Sequence, residues 1–351
     1  MTERFFRPLL ALLRPLLSLS IALLPGGLLI ALVRHDPAAP IAAFASLLRG
    51  AVGSPSGWDD TLRLTTPLLL TGSAVFLALA TGRFNIGGEG QMAVGALTAA
   101  LLAAIPGVPP IVLLPLALVG GMVGGAVWAL PPILLRERRG VHEVITALLF
   151  NYIAGNLTHF FASGPAKDAA GQAPQTAETV VWLPRLLPSY DVHFGLPIAL
   201  SLAVACLIAL FRTVPGFEFR AVGQGIDAAR VAGISPDRVR RVAFVVSGAL
   251  CGAAGAVTVL GETPFRRFPA DFYGIGYGFD GLTVALLVAG AGFPRTLFAA
   301  LALLPSALLF GALSAGGEAM AFDTETPKQV IAVVQAILIL AVAARKKGSE
   351  V

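Results

Sequence analysis

Residues Arg212 to Arg241 read RTVPGFEFRAVGQGIDAARVAGISPDRVRR, a polar stretch of thirty residues with six arginines set between two long apolar runs. The stretch decides the fold because it cannot lie in a bilayer, while the runs on either side are suited to one. It also carries helix punctuation. Asp227 to Val231 reads as helix, with Asp227 near an N-terminus where exposed N–H groups favour a carboxylate. Ala228 and Ala229 are good helix formers and small enough for another protein to approach. Gly233 suits the left-handed residue that ends a helix. Ile234 offers an apolar anchor and Pro236 prevents continuation. The expected product is a short helix along the membrane surface with Arg220, Arg230 and Arg238 around it, a shape that an apolar cleft with an acidic rim would grip. A plain loop that orients the chain is the simpler reading, but orientation needs neither thirty residues nor helix stops.

The flanking chain supports a membrane setting. Of 351 residues 56% are hydrophobic and 13% charged, with a mean hydropathy of +0.81. A soluble domain carries about twice that charged fraction. Taking about 20 apolar residues per span, ten spans fall near Leu16–Val33, Leu64–Ala80, Ile86–Ile105, Ile111–Leu135, Val144–Phe161, Phe194–Phe211, Val242–Leu260, Tyr277–Ala291, Leu297–Leu313 and Gln329–Ala344. Nine result if Gly281–Leu313 is one interrupted run. With ten spans and the N-terminus inside, 17 of 25 basic residues fall on the inner side. They include Arg4, Arg7, Arg14, Arg345, Lys346, Lys347 and the six of the loop. This is the asymmetry that orients membrane proteins. The expectation is therefore an all-α polytopic protein forming a single transmembrane domain, 1–351, with both termini and loop 212–241 cytoplasmic. The basic, apolar N-terminus reads as an uncleaved first span.

Two glycine-rich stretches, FNIGGEGQM at Phe84–Met92 and GIGYGFDG at Gly274–Gly281, open the third and eighth spans. Five spans separate them, so the halves that contain them would be inverted, and paired interrupted segments of this kind mark substrate paths. Glycine is also common in membrane helices for packing alone. No G-x-x-x-x-G-K-[ST] phosphate loop, H-E-x-x-H pair, G-x-S-x-G elbow or Cys/His cluster occurs. The reading is a chain that is not itself an enzyme, holds no metal or cofactor, and does not hydrolyse ATP. Cys206 and Cys251 fall in apolar runs, as small core residues. Polar groups in lipid face the bundle interior, a cavity or each other, which directs attention to Asn85, Glu89, Gln91, Glu143, Asn151, Asn156 and Gln335. No file of acids crosses the midplane, which argues against coupling to a proton or sodium gradient.

The residues Asp227–Gly233, D-A-A-x-x-x-G, resemble the EAA-type coupling motif of ABC importer permeases, with Asp in place of Glu. RAVGQGIDAARVAGI (Arg220–Ile234), FNIGGEGQM (Phe84–Met92), HEVITALLFNYIA (His142–Ala154) and GFDGLTVALL (Gly278–Leu287) look like the branched permease family that serves simple sugars and nucleosides, and more like its nucleoside-type members. The likeness runs from about Leu64 to Val342. It implies a type II importer architecture of about ten helices with inverted halves. It further implies a second permease, identical or homologous, a cytoplasmic ATPase holding Mg-ATP, and an external binding protein or lipoprotein. The setting would be a bacterial inner membrane. Gly223, Asp227, Ala228, Ala229, Gly233 and Ile234 would contact the ATPase. Asn85, Glu89, Gln91, Glu143 and Asn151 would lie near the translocation path or stabilise the helices around it. The other readings are an ion-gradient-driven secondary transporter and a membrane-embedded enzyme or structural component.

Overall fold

The computed structural model describes residues 23–262, 265–289, 293–327 and 329–344. The start of the expected first span at Leu16, the terminal basic clusters, Gly292 and Lys328 lie outside them. Helices account for most of the described chain, with only isolated bridges such as Lys167 to Thr176 outside them. In order they are α1 (Leu23–Arg34), α2 (Ala39–Val52), α3 (Pro55–Leu79), α4 (Gly88–Ala103), α5 (Pro110–Arg139), α6 (Glu143–Ser163) and α7 (Gly195–Arg212). The loop contributes α8 (Val214–Gln224) and α9 (Ile226–Val231). Then come α10 (Pro236–Gly261), α11 (Tyr277–Ala289), α12 (Leu297–Ala300), α13 (Leu303–Thr324) and α14 (Gln329–Ala344).

Among the described residues, seven helical segments are long and apolar enough to cross a membrane, and α1 with α2 would form an eighth, bent by 120°. The helices α4 and α14 have 16 residues each, about 24 Å, short of the ~30 Å hydrocarbon core. The stretch Gly281–Leu313 is not one run, for the described residues divide it among α11, the short α12 and α13, and α11 packs against α13. Two boundaries are corrected. The second span begins at Pro55 rather than Leu64, because the Ser54 hydroxyl caps the helix by accepting from the Gly57 amide at 3.0 Å. Its polar first turns find partners, Arg63 pairing with Asp60 and Glu262. The ninth extends through Gly316, Gly317 and Glu318 to Thr324 instead of ending at Leu313.

The best apolar windows of α3 and α10 are 83% and 78% buried, whereas the other candidate spans are 22–39% buried. These two helices form the axis, and the rest turn apolar faces outward. The hydroxyls of Thr65, Thr66, Thr71 and Ser73 on α3 each bond a carbonyl one turn back, so none is left bare in an apolar interior. Against the axis, α4, α5 and α10 cross on glycine. A β-carbon at Gly95, Gly125 or Gly252 would overlap the backbone of a facing helix, and one at Gly121 would overlap the Ala256 side chain. Small residues at four-residue spacing let backbones meet this closely, and close packing is what associates helices when lipid tails are as apolar as the side chains. Replacing Gly252 by valine should therefore unfold or strongly destabilise the chain, by about 1–3 kcal/mol or more for the overpacking. Gly274→Ala should leave the unfolding temperature in detergent within a degree or two, since no atom lies within 4 Å of its added carbon. Equal melting of the two variants would contradict the glycine crossing.

Candidate functional site

The loop folds back beneath the helices instead of extending from them. Thr213 caps α8, accepting from the Gly216 amide at 3.3 Å and donating to the Ala209 carbonyl at 2.6 Å. Arg220 donates to the Leu210 carbonyl and lies over the Phe211 ring, 5.1 Å from its centre. At the end of α8, Gly223 sits against the backbone of Ala80, where a β-carbon would collide. The next helix, α9, lies between α8 and α10. It ends as its sequence suggests. Gly233 has φ +82°, its amide bonds the Arg230 carbonyl, and the Ile234 amide bonds the Ala229 carbonyl, the paired bonds of a Schellman stop. Pro236 does more than halt α9, for it is the first residue of α10.

Of the six coupling candidates, Ala229 is 3% exposed and faces its own chain, while Gly223 is exposed and meets its own chain only on the side where a β-carbon would strike Ala80. Asp227, Ala228 and Gly233 are exposed and Ile234 is half-buried. Asp227 is fully out in solvent, 3.5 Å from Arg230. Beside them stand three apolar side chains that sequence reasoning did not single out, Val231 at 91% exposure, Val214 at 72% and Phe217 at 58%.

The turn Ala80–Gly87 above Gly223 is bonded at almost every residue. Arg83 donates to Glu143 at 2.6 Å, and the other Glu143 oxygen lies 3.4 Å from Arg136. Asn85 and Gln91 exchange two amide hydrogen bonds, and Asn85 also donates to Ser247 on α10. Asn151 accepts from the Gly90 amide and donates to the Ile86 carbonyl. Glu89 accepts from the Gly276 amide at 3.0 Å and the Gly278 amide at 2.7 Å. The two glycine-rich openings thus touch, with one carboxylate between the N-termini of α4 and α11. That position suits a negative charge, because both helix ends present unpaired N–H groups. Asn85, Glu89, Gln91, Glu143 and Asn151 are all buried and all bonded within the chain.

None of those five borders the main cavity. This space of about 670 Å³ lies among α3, α11, α13, α14 and the segment before α11. Its wall combines the rings of Phe272 and Tyr277 with Asp280, Glu318, Gln329 and Gln335, a volume and mixture typical of small-molecule sites. Of these the sequence reading had picked out Gln335 and, within the second glycine-rich stretch, Asp280. Glu318 escaped because the ninth span was expected to stop at Leu313. Gly274, Ile275 and Tyr277 also line the cavity, so Glu89 holds one of its walls.

The cavity lies toward the end of the molecule opposite the loop. That end of α10, a helix about 39 Å long, is covered by residues 164–193 and 265–276. Asp59 accepts from the amides of Asp191 and Val192 at 2.7 Å. Arg267 pairs with Asp168 and Glu178, and its hydrogen bond, after that of the Ala170 amide, holds the Asp168 carboxyl below its usual range. His193 is wedged against Gly195 and Gly261, and burial, with Arg63 nearby, lowers its pKa to about 4. Burial pushes Glu262 up to about 7 against the pull of Arg63.

A helical membrane chain with a polar, aromatic-walled cavity and a separate structured loop has the parts of a transport subunit. The chain belongs to the family described as branched-chain amino acid transport system / permease component, which matches residues 58–343. It is 33% identical to a glucose ABC transporter permease protein of Haloferax volcanii, covering 93% of this chain and 85% of that protein. It is 32% identical to a guanosine ABC transporter permease protein of Bacillus subtilis, covering 95% and 93%. A nucleoside ABC transporter permease protein of Lactococcus lactis is 31% identical over 94% and 90%. No solved structure matches the chain.

Glu89→Ala should leave the Gly276 and Gly278 amides without an acceptor, at about 1–3 kcal/mol each. Amide hydrogen exchange at the start of α11 should accelerate markedly in this variant and less in Glu89→Gln, which keeps one oxygen. Unchanged exchange would show that the carboxylate does not hold the cavity wall.

Proposed function

We propose that the chain is the permease subunit of an ATP-driven importer and passes a nucleoside or a related small polar solute, such as a simple sugar, through the 670 Å³ cavity. The observation that carries this reading is the pairing of that cavity with the loop through one bonded turn. The rings of Phe272 and Tyr277 suit a base or the apolar face of a sugar. The carboxylates of Asp280 and Glu318 and the amides of Gln329 and Gln335 suit hydroxyl and N–H donors. The names of the relatives, which cover guanosine, nucleoside and glucose, support that class of solute.

In this reading the described helices complete a ten-span fold with inverted halves in a bacterial inner membrane, and both termini and loop 212–241 are cytoplasmic. A second permease, identical or homologous, lies alongside. A separate ATPase, which holds the Mg-ATP, grips Asp227, Ala228, Val231 and Gly233. Gly223 and Ala229 transmit the push together with Arg220, Phe219 and Val222, which also join the loop to the body of the chain. An external binding protein or lipoprotein docks over residues 164–193 and 265–276. Closure of the ATPase displaces α8 and α9. Gly223 moves the Ala80–Gly87 turn, Glu89 carries the movement to Gly276–Gly278, and the cavity wall shifts between outward and inward access. No covalent step takes place in this chain. A secondary carrier would need ion-coupled groups along the path, and the relatives are ABC permeases.

Two expectations follow from the exposed helix and the cavity. Val231→Asp or Ala228→Glu should cut co-purification of the partner ATPase at least tenfold without loss of membrane insertion, since buried apolar anchors dominate such interfaces. An intact complex in both variants would remove α9 from the coupling role. In proteoliposomes holding the whole assembly, uptake should require ATP. It should fall at least tenfold in Gln335→Leu or Asp280→Leu while the complex still assembles. Uptake driven by an ion gradient alone would contradict the ATP-driven reading, and undiminished uptake in both variants would move the path elsewhere.

A further inference from the structure

A second, smaller cavity of about 150 Å³ lies at the loop end of the helices, lined by Arg83, Ile133, Arg136, Glu137, Asp237 and Arg240. We propose that it is a binding site for a phosphate-type oxyanion, either the headgroup of an anionic phospholipid or free phosphate. Three guanidinium groups from three separate elements converge on it: the turn before α4, the last turn of α5 and the second turn of α10. The carboxylates nearby are largely engaged. Glu143 lies between Arg83 and Arg136, bonding Arg83 through one oxygen while its other oxygen, 3.4 Å from Arg136, makes no hydrogen bond, and Glu137 is held by Arg241 through three short contacts. Asp237 is exposed at the rim. Three arginines and two carboxylates line the space, with Glu143 and Arg241 paired to lining residues behind them. Arg240 has no ion pair or hydrogen bond among the described residues, and neither has Asp237, whose charge lies near it at the rim.

The orphaned donors say where the ligand would go. The Nε–H groups of both Arg83 and Arg240 are buried and have no acceptor. A buried donor without a partner is unfavourable, and like charges held together in a poorly solvated space repel. A tetrahedral oxyanion answers both, since it offers several acceptor oxygens and guanidinium groups bind such anions through forked, charge-assisted bonds. Size agrees. At ~30 Å³ per water the cavity holds about five waters, which matches a phosphate group of five heavy atoms and not a nucleoside. The first turn of α10 adds N–H groups of favourable sign. Leu135 and Val242, directly beside Arg136 and Arg241, are exposed apolar residues on which acyl chains could lie, so the lipid source is sterically open.

The test uses the purified full chain, stripped of lipid in a neutral detergent, and follows its unfolding temperature. Phosphatidylglycerol or phosphatidylcholine is titrated in, and separately inorganic phosphate against chloride at equal ionic strength. Stabilisation by phosphatidylglycerol but not phosphate assigns a lipid headgroup, and stabilisation by phosphate as well assigns a free oxyanion. In either case Arg240→Gln should raise the half-saturating concentration at least tenfold. Arg138→Gln, which changes an exposed charge outside the cavity, should leave it within twofold. If the glutamine variant does not fold, Arg240→Lys carries the test, keeping the charge and losing the fork, with a smaller shift in the same direction. No stabilisation by either anion, or equal effects at Arg240 and Arg138, would overturn the site.

Discussion

One carboxylate ties the two ends of this protein together. Glu89 sits in the first turn of α4 and accepts the amides of Gly276 and Gly278 at the start of α11. The backbones approach so closely that a β-carbon on Gly278 would overlap Glu89 itself. Below this joint, the turn from Ala80 to Gly87 rests on Gly223 of the loop. Beyond it, Tyr277 and its neighbours form a wall of the large cavity. These two hydrogen bonds are a direct link between the turn and the cavity wall, beside α3, which ends at the same turn, packs on α11 and borders the cavity at Leu64.

The surroundings keep that joint rigid. Bilayer cores offer no water to compensate a broken hydrogen bond, so polar backbone and side-chain groups must be paired inside the protein. Asn85, Gln91, Ser247 and the Ala74 carbonyl form one closed chain of bonds, and Asn151 closes another around Ile86 and Gly90. The glycine crossing of α4, α5 and α10 leaves these bonds no slack, because the helices are in backbone contact. The axis helices are mostly buried, and the peripheral ones turn apolar faces outward.

Much of this was legible in the sequence where the chemistry is local. The loop from Arg212 to Arg241 begins where α7 ends, and α9 covers Ile226–Val231 against an expected Asp227–Val231, since a glycine stop and a first-turn acid need only near neighbours. Both glycine-rich stretches drew attention for their composition. What composition could not show is that Glu89 belongs to Gly276 and Gly278, nearly two hundred residues later. It also hid the first turns of α3, where Asp60 and Arg63 look too polar for a helix bound for lipid until Glu262 folds back to pair with Arg63. Glu318 disappeared for a related reason. The small residues Ala315, Gly316 and Gly317 weaken the hydropathy signal there, although they are what lets α13 pack closely on α2 and beside α14. The five polar residues expected near a path or in the helices around it are all bonded within the chain, Glu89 alone reaching the segment that borders the cavity, and a β-carbon on Gly223 would meet Ala80 while Ala229 is buried.

The relay is most directly tested by a thiol probe in the large cavity. Cys206 and Cys251 are replaced by alanine, a single cysteine is placed at Ser314 on the wall formed by α13, and the complete transporter is assembled with its ATPase. Labelling from the external side is then followed with and without a non-hydrolysable ATP analogue. Nucleotide should change the labelling rate at least severalfold, and Glu89→Ala in the same background should abolish that change while the complex remains assembled. A nucleotide response that persists undiminished in the Glu89→Ala protein would contradict transmission through this carboxylate.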